Sequence, residues 1–200
     1  MKEFDYRKSH YLQGGTNIDN IGPDIGSEVA FIGRSNCGKS SLLNYLADNK
    51  NLAKTSKTPG RTQLINMFGV EEGVRIVDLP GYGYASVPVH LRTEWNNSLG
   101  KYLHKRKSLV GFVVLMDSRF PLKESDRLIL ELAKDLQMQI LLVLTKIDKL
   151  NTQEKQKSKK IVMDFMKNEG VVYPVIEISS SKKLGIIKLK QELNNIFNKI

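Results

Sequence analysis

The run Gly33-Arg34-Ser35-Asn36-Cys37-Gly38-Lys39-Ser40 fits the phosphate-binding spacing G-x-x-x-x-G-K-[ST]. Its glycines let backbone N–H groups close around phosphate oxygens, and a following helix would aim its positive end at them. Lys39 supplies a cation for the outer phosphates, and Ser40 offers a hydroxyl to a magnesium ion. A second candidate, Thr145-Lys146-Ile147-Asp148, ends the apolar run Ile140-Leu141-Leu142-Val143-Leu144. The carboxylate of Asp148 can accept two hydrogen bonds from the ring N–H and exocyclic amine of guanine. Adenine lacks that pair of donors, and sites built on such pairing discriminate by roughly 10⁴ or more. Between the two lies Asp78-Leu79-Pro80-Gly81, after the strand-like Val74-Arg75-Ile76-Val77. Asp78 could hold magnesium through a water, and the Gly81 N–H could sense a terminal phosphate. The same tetrapeptide is an ordinary turn sequence. Its order, after a phosphate loop and before a base-reading loop, makes it the third element of a GTP site.

Groups so far apart in sequence need strand ends to hold them together. Strands are predicted at Glu28 to Ile32, Leu64 to Val70, Val74 to Val77, Leu109 to Met116, Gln139 to Leu144 and Tyr173 to Ile178. Helices are predicted between them. Ser41 to Leu46 leaves the phosphate loop, and Leu91, Trp95, Leu99 and Leu103 form one apolar stripe. Ile186, Leu189, Leu193, Ile196 and Ile200 form another. The Leu64 and Val74 runs read as an antiparallel hairpin and the rest as parallel strands. The expected fold is therefore α/β, a mostly parallel six-stranded sheet flanked by helices on both faces, with the ligand loops at the strand ends. Residues 1–27 read as an N-terminal extension packed on a single nucleotide-binding domain of residues 28–200.

The motifs and their order resemble the EngB (YihA/YsxC) family of GTPases, in the group that also holds Era, EngA and TrmE. The resemblance is carried by residues 33 to 41, by Ser56-Lys57-Thr58-Pro59-Gly60-Arg61-Thr62-Gln63, by Asp78-Leu79-Pro80-Gly81-Tyr82-Gly83-Tyr84-Ala85, by Thr145 to Asp148 and by Ser179-Ser180. It implies a Ras-like P-loop GTPase in which Gly60, Arg61, Thr62, Gln63 and Leu64 lie along the nucleotide. Thr62 would then join Ser40 on the magnesium ion when GTP is bound. It also implies that Ile178-Ser179-Ser180 supports the guanine ring, although Ser179 to Ser181 could equally cap a helix before Lys182. Lys39, Thr62 and Asn36 become the residues on which catalysis rests.

Two positions bear on rate. Ras-like proteins place a water-orienting glutamine after the Asp-x-x-Gly motif, and here that position is Tyr82. A phenol has neither the paired donor and acceptor of an amide nor a pKa near neutrality, so slow intrinsic hydrolysis is expected. In related potassium-stimulated GTPases an asparagine at the place of Asn36 helps hold a monovalent cation beside the phosphates. Alternatively, Asn36 serves only to tolerate an unusual backbone angle. Cys37 stands where relatives usually carry a small apolar residue. As the sole cysteine it forms no internal disulfide, which suits a reducing compartment.

The chain of 200 residues is 40% hydrophobic, enough for a full core. It has no signal-peptide run, membrane-length apolar stretch or prenylation cysteine, so a cytoplasmic monomer without membrane attachment is expected. The formal net charge is +10, and it is unevenly placed. Residues 1–100 hold 11 Lys+Arg against 10 Asp+Glu, and residues 101–200 hold 20 against 11. The densest stretches, Lys101 to Lys107 and Lys155 to Lys160, suggest an anionic partner, though basic helices can also be merely solvated faces. The family resemblance makes that partner the large ribosomal subunit or its precursor. It implies a role in subunit assembly and, through it, in cell division and septation. A nucleotide-gated binding module with negligible hydrolysis is the alternative.

Overall fold

The computed structural model describes residues 2–16, 18–54, 64–82 and 100–199. Strand β2 (Ser27–Gly33) lies at the middle of the sheet, between β4 (Val74–Asp78) and β5 (Leu109–Asp117), and is parallel to both. An inner parallel strand is covered on both faces, which is why Val29-Ala30-Phe31-Ile32 is apolar without alternation. β6 (Gln139–Thr145) and the short β7 (Val175–Glu177) continue the parallel order beyond β5. On the other side β3 (Ile65–Glu71) pairs antiparallel with β4, as the hairpin reading requires. The chain leaves β2 toward one side of the sheet and returns to the other. The crevice at its carboxyl end is therefore the place where an open α/β sheet binds ligands.

The sheet has seven strands rather than the expected six. Residues His10–Gly15 form β1, antiparallel to β3 at the sheet edge, giving the order β1-β3-β4-β2-β5-β6-β7. Composition hides this strand. Its outer residues His10, Tyr11 and Leu12 are exposed, its register shifts between Tyr11 and Gln13, and two glycines close it. A short, irregular edge strand carries little of the hydrophobic alternation on which sequence reading depends.

Successive strand residues feed opposite layers. Ala30, Ile32, Val114 and Leu142 face one apolar cluster with Leu130, Val162 and Met166, whereas Phe31, Val113, Leu115 and Val143 face another with Leu42, Leu46, Leu189 and Leu193. The helices sort accordingly. α2 (Glu124–Asp135) and α3 (Thr152–Asn168) cover the first face, and α1 (Lys39–Leu46) and α4 (Ile186–Phe197) the second. The expected Ile186 stripe is thus core packing. Leu91, Trp95 and Leu99 lie outside the described residues, while Leu103, in the helical residues 100–105, is buried.

At the pole opposite the ligand crevice the structure takes one residue, Arg106, out of the exposed part of the basic cluster 101–107, while Lys101, Lys105 and Lys107 remain exposed. Arg106 is buried, and its guanidinium forks onto the fully buried Glu28, with Nε 3.0 Å from Oε2 and Nη2 2.7 Å from Oε1. Its remaining capacity goes to the carbonyls of Ile21, Gly22 and Pro23 at 3.3, 3.0 and 3.0 Å. The Tyr102 hydroxyl donates to the same carboxylate at 3.1 Å. Arg75 adds charge to Glu28, with Nη2 3.1 Å from Oε1 but out of hydrogen-bond alignment, and its Nη1 donates to Pro23 O at 3.1 Å. This network ties residues 21–24, β2 and β4 to the segment 102–106, and Arg106 is not a free surface cation. Removing one partner leaves a buried carboxylate short of its counter-charge. Arg106→Ala is expected to lower unfolding free energy by about 3–5 kcal/mol, whereas Lys105→Ala, at an exposed position, should change it by less than about 0.5 kcal/mol. Urea denaturation of both variants checks this.

Candidate nucleotide-binding site

The phosphate loop leaves β2 at Gly33 and becomes α1 at Lys39, with left-handed backbone at Asn36 (φ 60°) and Gly38 (φ 102°). The conformation explains both residue types, since Asn and Gly bear that geometry at least cost. Gly38 gives α1 no side-chain cap, so the first N–H groups of the helix remain for an anion. Crowding fixes two further glycines. A Cβ on Gly33 would lie 2.7 Å from the Leu115 carbonyl oxygen, and one on Gly81 only 3.2 Å from Ser35 N. The Gly81 turn is laced to the loop by backbone, with Tyr82 N donating to Gly33 O at 3.2 Å and Ser35 N to Tyr82 O at 3.0 Å.

Lys39 forms an ion pair with Asp78, which ends β4, and their side chains are only 11% and 8% exposed. Sequence reading gives these two residues separate tasks, at phosphate and at magnesium, and the fold puts them in contact. Ser40 is half-buried on the adjacent helical position. A hydroxyl and a carboxylate are hard oxygen donors, and magnesium is commonly held by one or two carboxylates with substrate phosphates, not by a protein cage. The residues present therefore fit that ion. Among the described residues no cluster of three or more His, Cys, Asp or Glu could hold a metal. Gly60, Arg61, Thr62 and Gln63 lie outside the described residues. Leu64, the last of that run, is exposed just before β3.

The base-reading loop is bonded directly to the phosphate loop. The Thr145 hydroxyl lies 2.5 Å from Cys37 O and 3.1 Å from Met116 O. Lys146, also left-handed (φ 58°), reaches back to Asn36 O at 2.5 Å and to Asp117 Oδ2 at 2.9 Å. Ile147 is buried, and Asp148 sits in the tight turn Ile147–Lys149. Its Oδ1 accepts from the Ser179 hydroxyl at 2.6 Å, a bond that holds the carboxyl below its usual pKa, the ionised state that the expected base-reading role requires. Ile178 N donates to Leu144 O at 2.8 Å, and Ile147 N to Ile178 O at 3.3 Å, so the Ile178-Ser179-Ser180 loop is brought to the aspartate. Ser179 also accepts from Lys182 N at 3.1 Å. It caps a turn, since α4 begins only at Ile186, and it serves Asp148 at the same time.

Two acidic residues at this end escaped sequence reading. Asp117 closes β5 and bonds both Arg119 (2.7 Å) and Lys146 (2.9 Å). Desolvation alone would raise its pKa, but these partners outweigh it and hold the carboxyl at about 2. Its position at a strand's carboxyl end was the available signal. Asp126, in the first turn of α2, accepts from the Tyr82 hydroxyl at 2.7 Å. No spacing rule connects residues 82 and 126. Burial first, and then the charge of Asp126, pushes the Tyr82 phenol far above its ordinary range, so it cannot serve as a base.

Cys37 is 2% exposed, and burial pushes its thiol up to about 11. At pH 8 its thiolate is scarce, whereas a free cysteine with a pKa near 8.5 is partly ionised. Iodoacetamide is expected to label the native chain at least about a hundredfold more slowly than the urea-unfolded chain. The native rate should rise with pH toward 11, as time-resolved mass spectrometry would record.

The family model described as 50S ribosome-binding GTPase matches residues 28–146. A probable GTP-binding protein EngB of Pectobacterium carotovorum subsp. carotovorum (strain PC1) is 48% identical over 197 residues, 98% of this chain and 93% of that one. Its counterpart in Escherichia coli O157:H7 is 47% identical over 200 residues, 100% and 95% of the two chains. A crystal structure of a probable GTP-binding protein engB matches with TM-score 0.68 at 20% identity, over 87% of this chain and 100% of that one. Era, crystallised with MgGDPNP and nucleotides 1506–1542 of 16S ribosomal RNA, matches with TM-score 0.64 at 22% identity, over 87% and 56%. These two likenesses concern the fold, and the sequence relatives go further: this chain belongs to the EngB family of GTP-binding proteins.

Proposed function

We propose that the protein is a magnesium-dependent GTPase switch acting in assembly of the large ribosomal subunit, with cell-division defects a downstream consequence of its loss. The observation that carries the nucleotide part is the direct bonding of the base-reading loop, through Thr145 and Lys146, to the phosphate loop at Cys37 and Asn36. Guanine held at Asp148 and phosphates held at residues 33–40 are thereby set at a fixed separation. Lys39 balances phosphate charge, and Gly81 offers its N–H to the terminal phosphate. Thr62 is assigned to the metal in the GTP state by family resemblance. Magnesium, when bound, neutralises charge on the outer phosphate oxygens. Potassium beside Asn36 is a further accelerator in this reading, tested by comparing hydrolysis in potassium and sodium salts.

Tyr82 favours a second reading, a nucleotide-gated binding module with negligible turnover, because its hydroxyl is committed to Asp126. Single-turnover phosphate release with and without large-subunit particles separates the two. Release accelerated by particles supports the switch, and none in either condition supports the module.

Asp148→Ala should lower GTP affinity by at least about a hundredfold and abolish preference over ATP, and Asp148→Asn should shift preference toward XTP. Competition binding with the three nucleotides measures both.

Lys157, Lys159 and Lys160 are exposed on α3, which supports their use, with the exposed Lys101, Lys105 and Lys107, as contacts to ribosomal RNA. Charge reversal at the three on α3 should weaken co-sedimentation with large-subunit particles in GTP while leaving nucleotide affinity intact. The slope of log affinity against log salt should flatten by roughly 0.7–0.9 per lost phosphate contact. Binding that ignores both salt and nucleotide would remove the ribosomal part of the proposal.

A further inference from the structure

Asp126 reaches the nucleotide end of the molecule from outside every motif that defines it. It is 1% exposed, so its carboxylate depends on the partners it finds inside the protein. Among the described residues two donors bond it, one at each oxygen, and the charges of Arg34 and Lys123 lie near. The Tyr82 hydroxyl donates to Oδ1 at 2.7 Å, and Lys123 N donates to Oδ2 at 2.9 Å. The second bond caps the start of α2. The first leaves the helix and crosses to the residue that follows Gly81.

Tyr82 is held along its whole length. Its backbone N and O bond Gly33 and Ser35 on the phosphate loop, its ring is 5% exposed in the apolar cluster, and its hydroxyl ends on Asp126. The peptide preceding Tyr82 belongs to Gly81, which lies so close to Ser35 that a side chain would leave its Cβ 3.2 Å from the amide nitrogen. Small rotations of Tyr82 therefore translate into movement of the Gly81 peptide relative to the phosphate loop. On the other side Asp126 is itself fixed, because the segment entering α2 is pinned by Lys123 N and passes through a left-handed Leu122 (φ 54°). Burial raises the pKa of Asp126, and the hydrogen bonds from Tyr82 and Lys123 oppose that rise.

A phenylalanine facing an apolar residue would fill this space without burying a carboxylate. It would also lack direction, since apolar contact permits sliding that a short O–H···O bond to a charged acceptor resists. We propose that Asp126 is a positioning residue for GTP hydrolysis, which through the Tyr82 hydroxyl fixes the Gly81–Tyr82 peptide against Gly33 and Ser35. The proposal rests on the reading that Gly81 meets the terminal phosphate. It predicts a defect confined to the triphosphate state, because the diphosphate does not reach Gly81.

The test uses the full chain and three variants, Tyr82→Phe, Asp126→Ala and the double substitution. Fluorescent GDP and a non-hydrolysable GTP analogue report affinity, single-turnover and steady-state hydrolysis report kcat and KM, and thermal melts report folding. For both single variants the expected result is a fall in kcat of about tenfold and a weaker preference for the GTP analogue over GDP. GDP affinity should stay within twofold of the parent. The double variant should be no worse than the poorer single one, because groups that act as a unit are not additive. Tyr82→Phe removes one oxygen and keeps the ring, so it decides the matter if Asp126→Ala does not fold. Retention of kcat and of nucleotide preference within twofold in Tyr82→Phe, even with a lowered melting temperature, overturns the proposal and leaves Asp126 a structural residue. A parent chain that does not hydrolyse GTP overturns the functional reading and this proposal with it.

Discussion

The nucleotide end depends on a close approach of backbone to backbone. Residues 33–35 and 81–82 exchange hydrogen bonds as if they extended the sheet beyond the ends of β2 and β4, close enough that a Cβ on Gly81 would be crowded 3.2 Å from Ser35 N. Side-chain chemistry is then built on that frame. Lys39 and Asp78 meet because their strands and helix converge there, and Thr145 and Lys146 can reach Cys37 and Asn36 because β5 and β6 continue the same parallel order. Parallel strands align their carboxyl ends at one edge, so motifs tens of residues apart share a single surface.

Charge is handled differently at the two poles. At the ligand end the charged groups sit at the tips of strands and helices or on the loops beside them, from the partly exposed Lys146 to the nearly buried Lys39 and Asp78. At the other end Glu28 and Arg106 are sealed inside, and each remaining polar atom of the guanidinium is matched to a backbone carbonyl. Such a pair adds little over a hydrophobic substitute, but it fixes how the segment 102–106 docks on β2 and residues 21–24. The distinction also matters for reading electrostatics from composition. Arg106 counts toward the basic half of the chain, yet its charge is already answered.

The sequence made the inner strands and three of the site loops legible because their signals are local. Apolar runs of strand length, glycines at fixed spacing and an aspartate three places after a threonine need no partner to be recognised. β1 was hidden for the opposite reason. Its first three residues are exposed, its register is bulged and its end is glycine, and only pairing with β3 makes it a strand. Asp126 and Arg106 likewise acquire meaning only from residues 44 and 78 positions away in the chain. Asn36 shows a middle case. Its residue type suggests tolerance of an unusual backbone angle, and its φ of 60° is such an angle.

The contact between residues 4–6 and α4 has a consequence for synthesis. Tyr6 is fully buried and its hydroxyl donates to Asn194 at 2.8 Å, with Phe4 edge-on to Phe197 beside it. Tyr6 and Asn194 are 188 positions apart, so the segment made earlier waits for the intervening chain before it can be sealed. Until then Tyr6 and Phe4 are exposed apolar groups beside β1, a strand whose neighbour β3 also emerges later. Long-range closures of this kind slow folding and leave sticky surface uncovered. Helix α4 thus serves the nascent protein as a lock, completing in one docking event both the apolar layer beneath β2 and the burial of Tyr6 and Phe4.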